Sequence, residues 1–149
     1  MATLIYIHGF LSSPRSAKAQ SMQQWLQLHR PDITYCCPQL PPYPNSCATI
    51  LEALVDAIDR DTGDESKLPI YLVGSSLGGF WATWLAERYC LQAVLINPAV
   101  DIDELMPSYL NIELQNYHHA DTYRLDVKDF SDLLSFKVSK LANLENYWL

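Results

Sequence analysis

The sequence predicts an α/β fold, in which a parallel sheet carries helices on both faces in three layers. Short apolar runs rich in β-branched residues recur along the chain, each about as long as one strand. Between them lie longer segments in which apolar residues recur every three or four positions, the spacing of an amphipathic helix. Strands that alternate with helices in this way pair in parallel through right-handed crossovers.

The alternation runs from the first residues to Asn97-Pro98. The predicted strands span residues 3–7, 33–37, 69–73 and 91–96. The predicted helices span residues 16–29, 46–59 and 77–89. Pro31 ends the first helix, and Ser46 is expected to cap the second. The polar residues 59–67 are predicted to form a connecting loop.

One stripe of each helix is predicted to face the sheet. The stripe of the first helix consists of Ala19, Met22, Trp25, Leu26 and His29. The stripe of the second consists of Ile50, Leu51, Leu54, Val55 and Ile58. Tryptophans at such positions are more often core residues than ligand-stacking groups. We therefore expect core positions for all four, which are Trp25, Trp81, Trp84 and Trp148.

The periodicity weakens after Pro98. We expect a short helix over residues 102–110, a loop with one strand over 111–126 and a helical turn over 129–134. Residues 145–149 look like the opening of another strand. No repeat or low-complexity run interrupts the chain, so residues 1–149 are predicted to form a single domain, incomplete at its carboxyl end.

The composition argues against several classes of function. A net charge of -7 repels phosphate backbones, so nucleic-acid binding is not expected. No apolar run reaches the roughly 18–20 residues of a membrane span, and the amino terminus lacks a signal pattern, so we expect a cytoplasmic protein.

The four cysteines form no C-x-x-C pair and are expected to be buried, unreactive thiols. The cysteines are Cys36, Cys37, Cys47 and Cys90.

Gly74-Ser75-Ser76-Leu77-Gly78 carries the chemistry that the sequence predicts. It matches G-x-S-x-G between a predicted strand and a predicted helix, which is the setting of a nucleophile elbow. The tight turn needs small flanking residues, projects Ser76 at the carboxyl edge of the sheet and aims the Leu77 N–H at a developing oxyanion. A plain strand-to-helix turn is the alternative interpretation, whereas a P-loop would need a lysine that this turn lacks.

His8-Gly9-Phe10 follows the first predicted strand and is the second part of the predicted site. The backbone N–H of Phe10 is expected to lie opposite the elbow as the second oxyanion donor. His8 is a tempting general base, but in this kind of fold the base comes last in chain order. We therefore predict that His8 holds the loop through hydrogen bonds.

Five segments together resemble the YqiA-type esterases, a family of small bacterial α/β-hydrolases. The segments are residues 5–10, 12–19, 38–44, 74–79 and 97–100. They occur in the same order as in that family, between residue 3 and about residue 110. The resemblance implies a serine hydrolase that cleaves acyl esters or thioesters through a Ser–Asp–His triad, without a metal or cofactor. By position, Ser76 matches the nucleophile, and Phe10 and Leu77 match the oxyanion donors.

The family's acid and histidine motifs, in Gly-Asp-Glu-type and Gly-Asn-His-type loops, do not occur in these 149 residues. A serine needs a base to attack at neutral pH, so we do not expect the chain alone to be active, whether it is a natural truncation or a fragment. His118 and His119, with Asp121, Asp126 and Asp129 nearby, are the alternative source of a base or a metal site. Their place in the chain order instead predicts surface loop residues.

A non-catalytic α/β-hydrolase-like module that binds a ligand or partner is the alternative function. Loss of terminal strands would expose a sheet edge, and such edges pair readily with other chains. Self-association through that edge is therefore possible, and the binding module predicts concentration-dependent association without ester turnover.

Overall fold

The computed structural model describes residues 1–61 and 68–149. Its strands are β1 (Ala2–Ile7), β2 (Ile33–Cys36), β3 (Ile70–Ser75), β4 (Gln92–Ile96), β5 (Leu114–Gln115), β6 (Thr122–Tyr123) and β7 (Tyr147–Trp148). Its α-helices are α1 (Ala17–His29), α2 (Pro44–Asp61), α3 (Leu77–Tyr89), α4 (Ile102–Leu105) and α5 (Val127–Ser135). Two 3-10 turns span Met106–Tyr109 and Leu144–Asn146.

The main sheet has the strand order β2-β1-β3-β4-β7, and all of its pairs are parallel. β5 and β6 form a separate antiparallel pair. Side chains alternate across the sheet, so Ile5 and Ile7 enter the larger core with α2 and α3. Tyr6 points the other way and packs with Val73 and with Ala19 of α1. The predicted three-layer arrangement, with helices on both faces of a parallel sheet, is confirmed.

The sheet changes direction between β1 and β3. The chain first moves from β1 to β2 on one side and then returns to place β3 on the other side of β1. The carboxyl ends of β1 and β3 are adjacent, with Ile7 paired to Gly74. The helices that follow these two strands, α1 and α3, pack on opposite faces of the sheet. Such a switch point opens a crevice at the carboxyl edge, which is where ligands bind in α/β sheets.

Several element bounds differ from the predictions. α2 begins at Pro44 because proline suits a first helical turn, so Ser46 lies inside the helix instead of capping it. The same helix continues to Asp61, and residues 62–67 of the predicted loop lie outside the described residues. The segment predicted as a loop with one strand contains two short strands, β5 and β6.

Two of the four tryptophans contradict the predicted core. Trp25 is 52% exposed and stacks on the His29 ring, with 4.6 Å between ring centroids. Trp148 is 50% exposed on β7. Trp81 is buried and Trp84 half-buried, each packed against Phe136. Helical periodicity alone overestimated the buried face of α1, because only Ala19 and Leu26 of that helix are fully buried.

The cysteines are only partly as predicted, and all four are free thiols. Cys47 is buried, and its thiol donates a hydrogen bond to the Pro41 carbonyl at 2.8 Å. Cys90 is exposed at the carboxyl end of α3, where a left-handed backbone (φ 55°) ends the helix. No helix within residues 1–61 and 68–149 is long and apolar enough to cross a membrane.

Candidate active site

Ser76 stands between β3 and α3 in a backbone conformation that side chains rarely adopt. Its φ is 55° and its ψ is -121°. Such a conformation costs on the order of 1–3 kcal/mol and persists only where the surroundings impose it. Here the surroundings are hydrogen bonds: the Ser76 N–H donates to the Ile96 carbonyl at 3.1 Å, and the Ser76 carbonyl accepts from Gly79 and Ala99 at 2.9 Å each.

Two glycines make this turn possible through close approach. A Cβ atom on Gly78 would lie 2.0 Å from the Ile7 carbonyl oxygen, and one on Gly74 would lie 2.3 Å from the Gly78 carbonyl oxygen. The start of α3 therefore packs directly against the ends of β1 and β3. The predicted role of the small flanking residues is consistent with these distances.

The loop after β1 faces the elbow. A Cβ atom on Gly9 would lie 3.4 Å from Ser76 Cβ and 3.9 Å from Ser76 Oγ, so the loop backbone passes beside the serine side chain. Leu11 turns this loop with a φ of 55°, and Ser12 N–H donates to the Gly9 carbonyl at 3.2 Å. The Phe10 ring packs edge-on against Tyr109 at 5.2 Å between centroids.

A cleft of about 420 Å³ contains the three predicted site residues, Ser76, Phe10 and Leu77. Leu77 is the first residue of α3, where backbone N–H groups lack partners within the helix. Among the described residues, the Phe10 N–H makes no backbone hydrogen bond. The nucleophile candidate and both donor candidates thus share one cleft at the switch point of the sheet.

A second, apolar cavity of about 20 Å³ shares Gly9, Phe10 and Leu77 with this cleft. Its far walls come from the segment after β4, through Met106 and Leu133, and from Trp81 of α3. The backbone of Gly9-Phe10 and the start of α3 therefore border both the open cleft and the small cavity.

His8 holds the loop and does not face the serine. Its Nδ1 lies 2.9 Å from the Gly9 carbonyl, and its Nε2 accepts the Leu40 N–H at 3.0 Å. These two contacts assign the proton to Nδ1 and occupy both ring nitrogens. Burial lowers the pKa of His8, and the nearby His118 and His119 lower it further. The arrangement agrees with the structural role that the sequence predicted for His8.

No Asp, Glu or His lines the cleft among the described residues. The His118 ring lies beside Ser12, with 3.3 Å between Nε2 and Oγ. His119 Nδ1 lies 3.0 Å from Asp121 Oδ2, without the alignment of a hydrogen bond. Tyr117, the preceding residue, does line the cleft. The structure therefore brings the two histidines close to the loop after β1 but does not bring them to Ser76.

The remaining candidates lie elsewhere. Asp126 caps α5 in a capping box with Asp129, which gives both carboxylates a structural role, and Asp129 also lines the small cavity. Within the described part of the chain, no group of three or more His, Cys, Asp and Glu residues could hold a metal ion.

The sequence did not single out the lysine and the three tyrosines that line the cleft. They are Tyr6, Lys18, Tyr109 and Tyr117. Tyr6 and Lys18 could have been found from the sequence, because Tyr6 lies just before the loop that follows β1 and Lys18 lies just after it. Tyr109 and Tyr117 could not, because they come from the segment whose pattern is weakest.

Two comparisons with known proteins bear on the family and the fold of the chain. The family described as "Uncharacterised protein family (UPF0227)" matches residues 3–149. The structure of Est1E from Butyrivibrio proteoclasticus with bound ferulic acid is similar, with a TM-score of 0.62 and 18% identity. The similarity covers 91% of this chain and 61% of that chain, so this chain spans under two-thirds of the Est1E length. At this identity the similarity shows a shared α/β-hydrolase fold.

Proposed function

The chain belongs to the UPF0227 family of YqiA-like esterases, and we propose that it is a serine hydrolase that cleaves acyl esters or thioesters. Ser76 is the proposed nucleophile. The backbone N–H groups of Phe10 and Leu77 are the proposed oxyanion donors. The observation that carries the proposal is the strained Ser76 backbone, held by Ile96 and facing the Gly9-Phe10 loop across one cleft.

In the proposed reaction, the Ser76 hydroxyl attacks the carbonyl carbon of the ester, and the carbonyl oxygen becomes an oxyanion. Two fixed backbone donors would stabilise that charge, which in such sites accounts for a rate factor of about 10²–10³ per donor. The attack also needs a base to take the hydroxyl proton. Among the described residues, His118 and His119 remain candidates only if the 116–121 segment moves toward Ser76.

The apolar cavity beside the two donors is the proposed acyl site. A cavity needs roughly 10–15 Å³ to hold one water, so about 20 Å³ suits a short acyl group. A long acyl chain would require the segment that supplies Met106 and Leu133 to move. We therefore propose short-chain acyl substrates, tested with p-nitrophenyl acetate against longer esters and with the corresponding thioesters.

A fluorophosphonate probe tests the nucleophile. Labelling at Ser76 that is lost in Ser76→Ala and kept in the matched control Ser75→Ala would identify the nucleophile and show that a base lies within these 149 residues. Loss of labelling in His118→Gln or His119→Gln would identify that residue as the base. Equal labelling of the Ser76→Ala variant would refute the proposed nucleophile.

A non-catalytic binding module is the second candidate, because no acidic residue or histidine lines the cleft among the described residues. It predicts neither labelling nor ester turnover, together with concentration-dependent association detectable by light scattering. A cytoplasmic location, self-association and a single domain over residues 1–149 also remain predictions from the sequence.

A further inference from the structure

Two helix N-termini meet in the cleft that contains Ser76. α1 contributes Ser16, Ala17 and Lys18, and α3 contributes Ser76 and Leu77. Each helix has 13 residues, long enough for a partial positive charge at its amino end. The first turn of neither helix contains an acidic residue.

The charge of the cleft is opposite to that of the protein. The chain has 17 Asp and Glu residues and a net charge of -7, yet among the described residues none of these acids lines the cleft. Lys18 is the one charged residue in that lining, and it makes no ion pair within residues 1–61 and 68–149. A cation near two helix N-termini, with no acid beside it, creates a local positive potential.

Tyr6 supplies an independent observation at the same place. The residue is 1% exposed and lines the cleft, and its hydroxyl oxygen has no hydrogen-bond partner among the described residues. The Ser75 hydroxyl is near enough to influence the Tyr6 pKa but does not reach hydrogen-bond geometry. Buried hydroxyls are normally satisfied, so an orphaned one beside a positive cleft indicates a missing acceptor.

From this convergence of Lys18, the α1 N-terminus and the Tyr6 hydroxyl, we infer that the cleft contains a binding subsite for an anionic group, a phosphate or a carboxylate, on the leaving-group side of the substrate. The inference rests on the proposed function, which directs the acyl group into the apolar cavity on the other side of Phe10 and Leu77. The alcohol or thiol portion of the ester then extends toward Lys18. The substrate class is accordingly an acyl ester or thioester whose leaving group carries a negative charge.

Titration of the full chain with inorganic phosphate tests the subsite without any need for catalysis. We expect saturable amide shifts in ¹H–¹⁵N spectra at Ala17, Lys18 and Leu77. Lys18→Gln should weaken phosphate binding roughly fivefold, since it removes a charge-assisted contact. Lys140→Gln is the matched control, because Lys140 is also exposed but does not line the cleft. The Lys140→Gln variant should bind phosphate as tightly as the unaltered chain does.

Two further arms sharpen the result. Tyr6→Phe keeps the ring and should also weaken phosphate binding, whereas unchanged affinity would refute the part assigned to the hydroxyl. A parallel titration with acetate separates the two sources of negative charge, since tighter phosphate binding assigns a phosphorylated leaving group and tighter acetate binding a carboxylated one.

The subsite is refuted if neither anion gives saturable shifts at these amides, or if Lys140→Gln weakens binding as much as Lys18→Gln. The fluorophosphonate experiment judges the proposed hydrolase separately. A chain that is labelled at Ser76 but binds neither anion keeps the proposed function and loses the subsite.

Discussion

The Ser76 N–H donates a hydrogen bond to the Ile96 carbonyl, with 3.1 Å between nitrogen and oxygen. This bond joins the turn after β3 to the last residue of β4. Asn97, the next residue, has a positive φ of 44°, and Ala99 then donates back to the Ser76 carbonyl at 2.9 Å. The position of the proposed nucleophile thus depends on how the neighbouring strand ends.

Replacing Ser76 by glycine should make the protein more stable and less reactive. Glycine adopts the observed φ of 55° without strain, although it loses more backbone entropy on folding. We expect the free energy of unfolding to rise by about 1 kcal/mol in urea melts. Ser76→Ala is the control, because it removes the same hydroxyl but keeps the strain. A stability gain of equal size in Ser76→Ala would contradict backbone strain as the cause.

Substitutions at Gly78 and at Gly9 should separate folding from reactivity. Gly78→Ala places a methyl group 2.0 Å from the Ile7 carbonyl oxygen, so we expect a loss of at least about 3 kcal/mol in the free energy of unfolding. Gly9→Ala meets only ordinary contacts, at 3.4 Å, and should fold. Its methyl group would lie 3.9 Å from Ser76 Oγ, which should slow fluorophosphonate labelling.

Comparable stability losses in the two variants would show that the Gly9 loop is packed as tightly as the start of α3. Thermal melts measure the stability, and the labelling rate is compared only for variants that fold.

The neutral, buried His8 should make stability depend on pH below neutrality. Burial lowers its pKa in the folded protein below the ordinary 6.5, so the unfolded chain takes up the proton first as the pH falls. Stability is therefore complete above about pH 6.5 and declines below it. We expect the free energy of unfolding to be lower at pH 5.5 than at pH 7.5.

His8→Gln should remove most of this decline, since glutamine can also donate to Gly9 and accept from Leu40. Urea melts of both proteins across this range measure the difference. Parallel curves for the two proteins would assign the pH dependence to other groups.

Replacing Tyr6 or its neighbour Tyr35 by phenylalanine should change the free energy of unfolding in opposite directions. Their ring centroids are 6.4 Å apart. The Tyr35 hydroxyl donates to the Ala19 carbonyl at 2.9 Å, whereas the Tyr6 hydroxyl has no hydrogen-bond partner within the described part of the chain. Tyr35→Phe should cost about 1 kcal/mol of stability. Tyr6→Phe should add about 1 kcal/mol, because it removes a buried hydroxyl without a partner. Urea melts compare the two, and a loss in Tyr6→Phe would mean that a bound water or ion satisfies Tyr6.

The sequence predicted the parts of the fold that local patterns determine. The bounds of α3 agree with the prediction, because an apolar strand, a glycine-rich turn and a helical stripe follow one another without interruption. The same pattern led to Ser76 and Leu77 as site candidates. The loop after β1 was located by its position after a strand, and the structure shows it beside Ser76.

Tertiary packing determined what the sequence could not predict. Trp25 has the spacing of a core residue, but it lines an open groove between α1 and the sheet, so the ring remains exposed. Tyr109 and Tyr117 enter the cleft because the segment after β4 folds back over Phe10, through contacts between residues distant in sequence. The Tyr117 N–H, for example, donates to the Leu11 carbonyl.

The exposed thiol at the end of α3 gives the protein a built-in attachment point for a spectroscopic label. Burial raises the pKa of Cys37 to about 11 and that of Cys47 to about 12, so few of those thiols are reactive thiolates at neutral pH. Burial likewise raises the pKa of Cys36. A maleimide dye should therefore prefer Cys90, which lies at the opposite end of the helix from Ser76. At about 1.5 Å per residue the two ends are roughly 20 Å apart, within range of energy transfer to a fluorescent group on the serine.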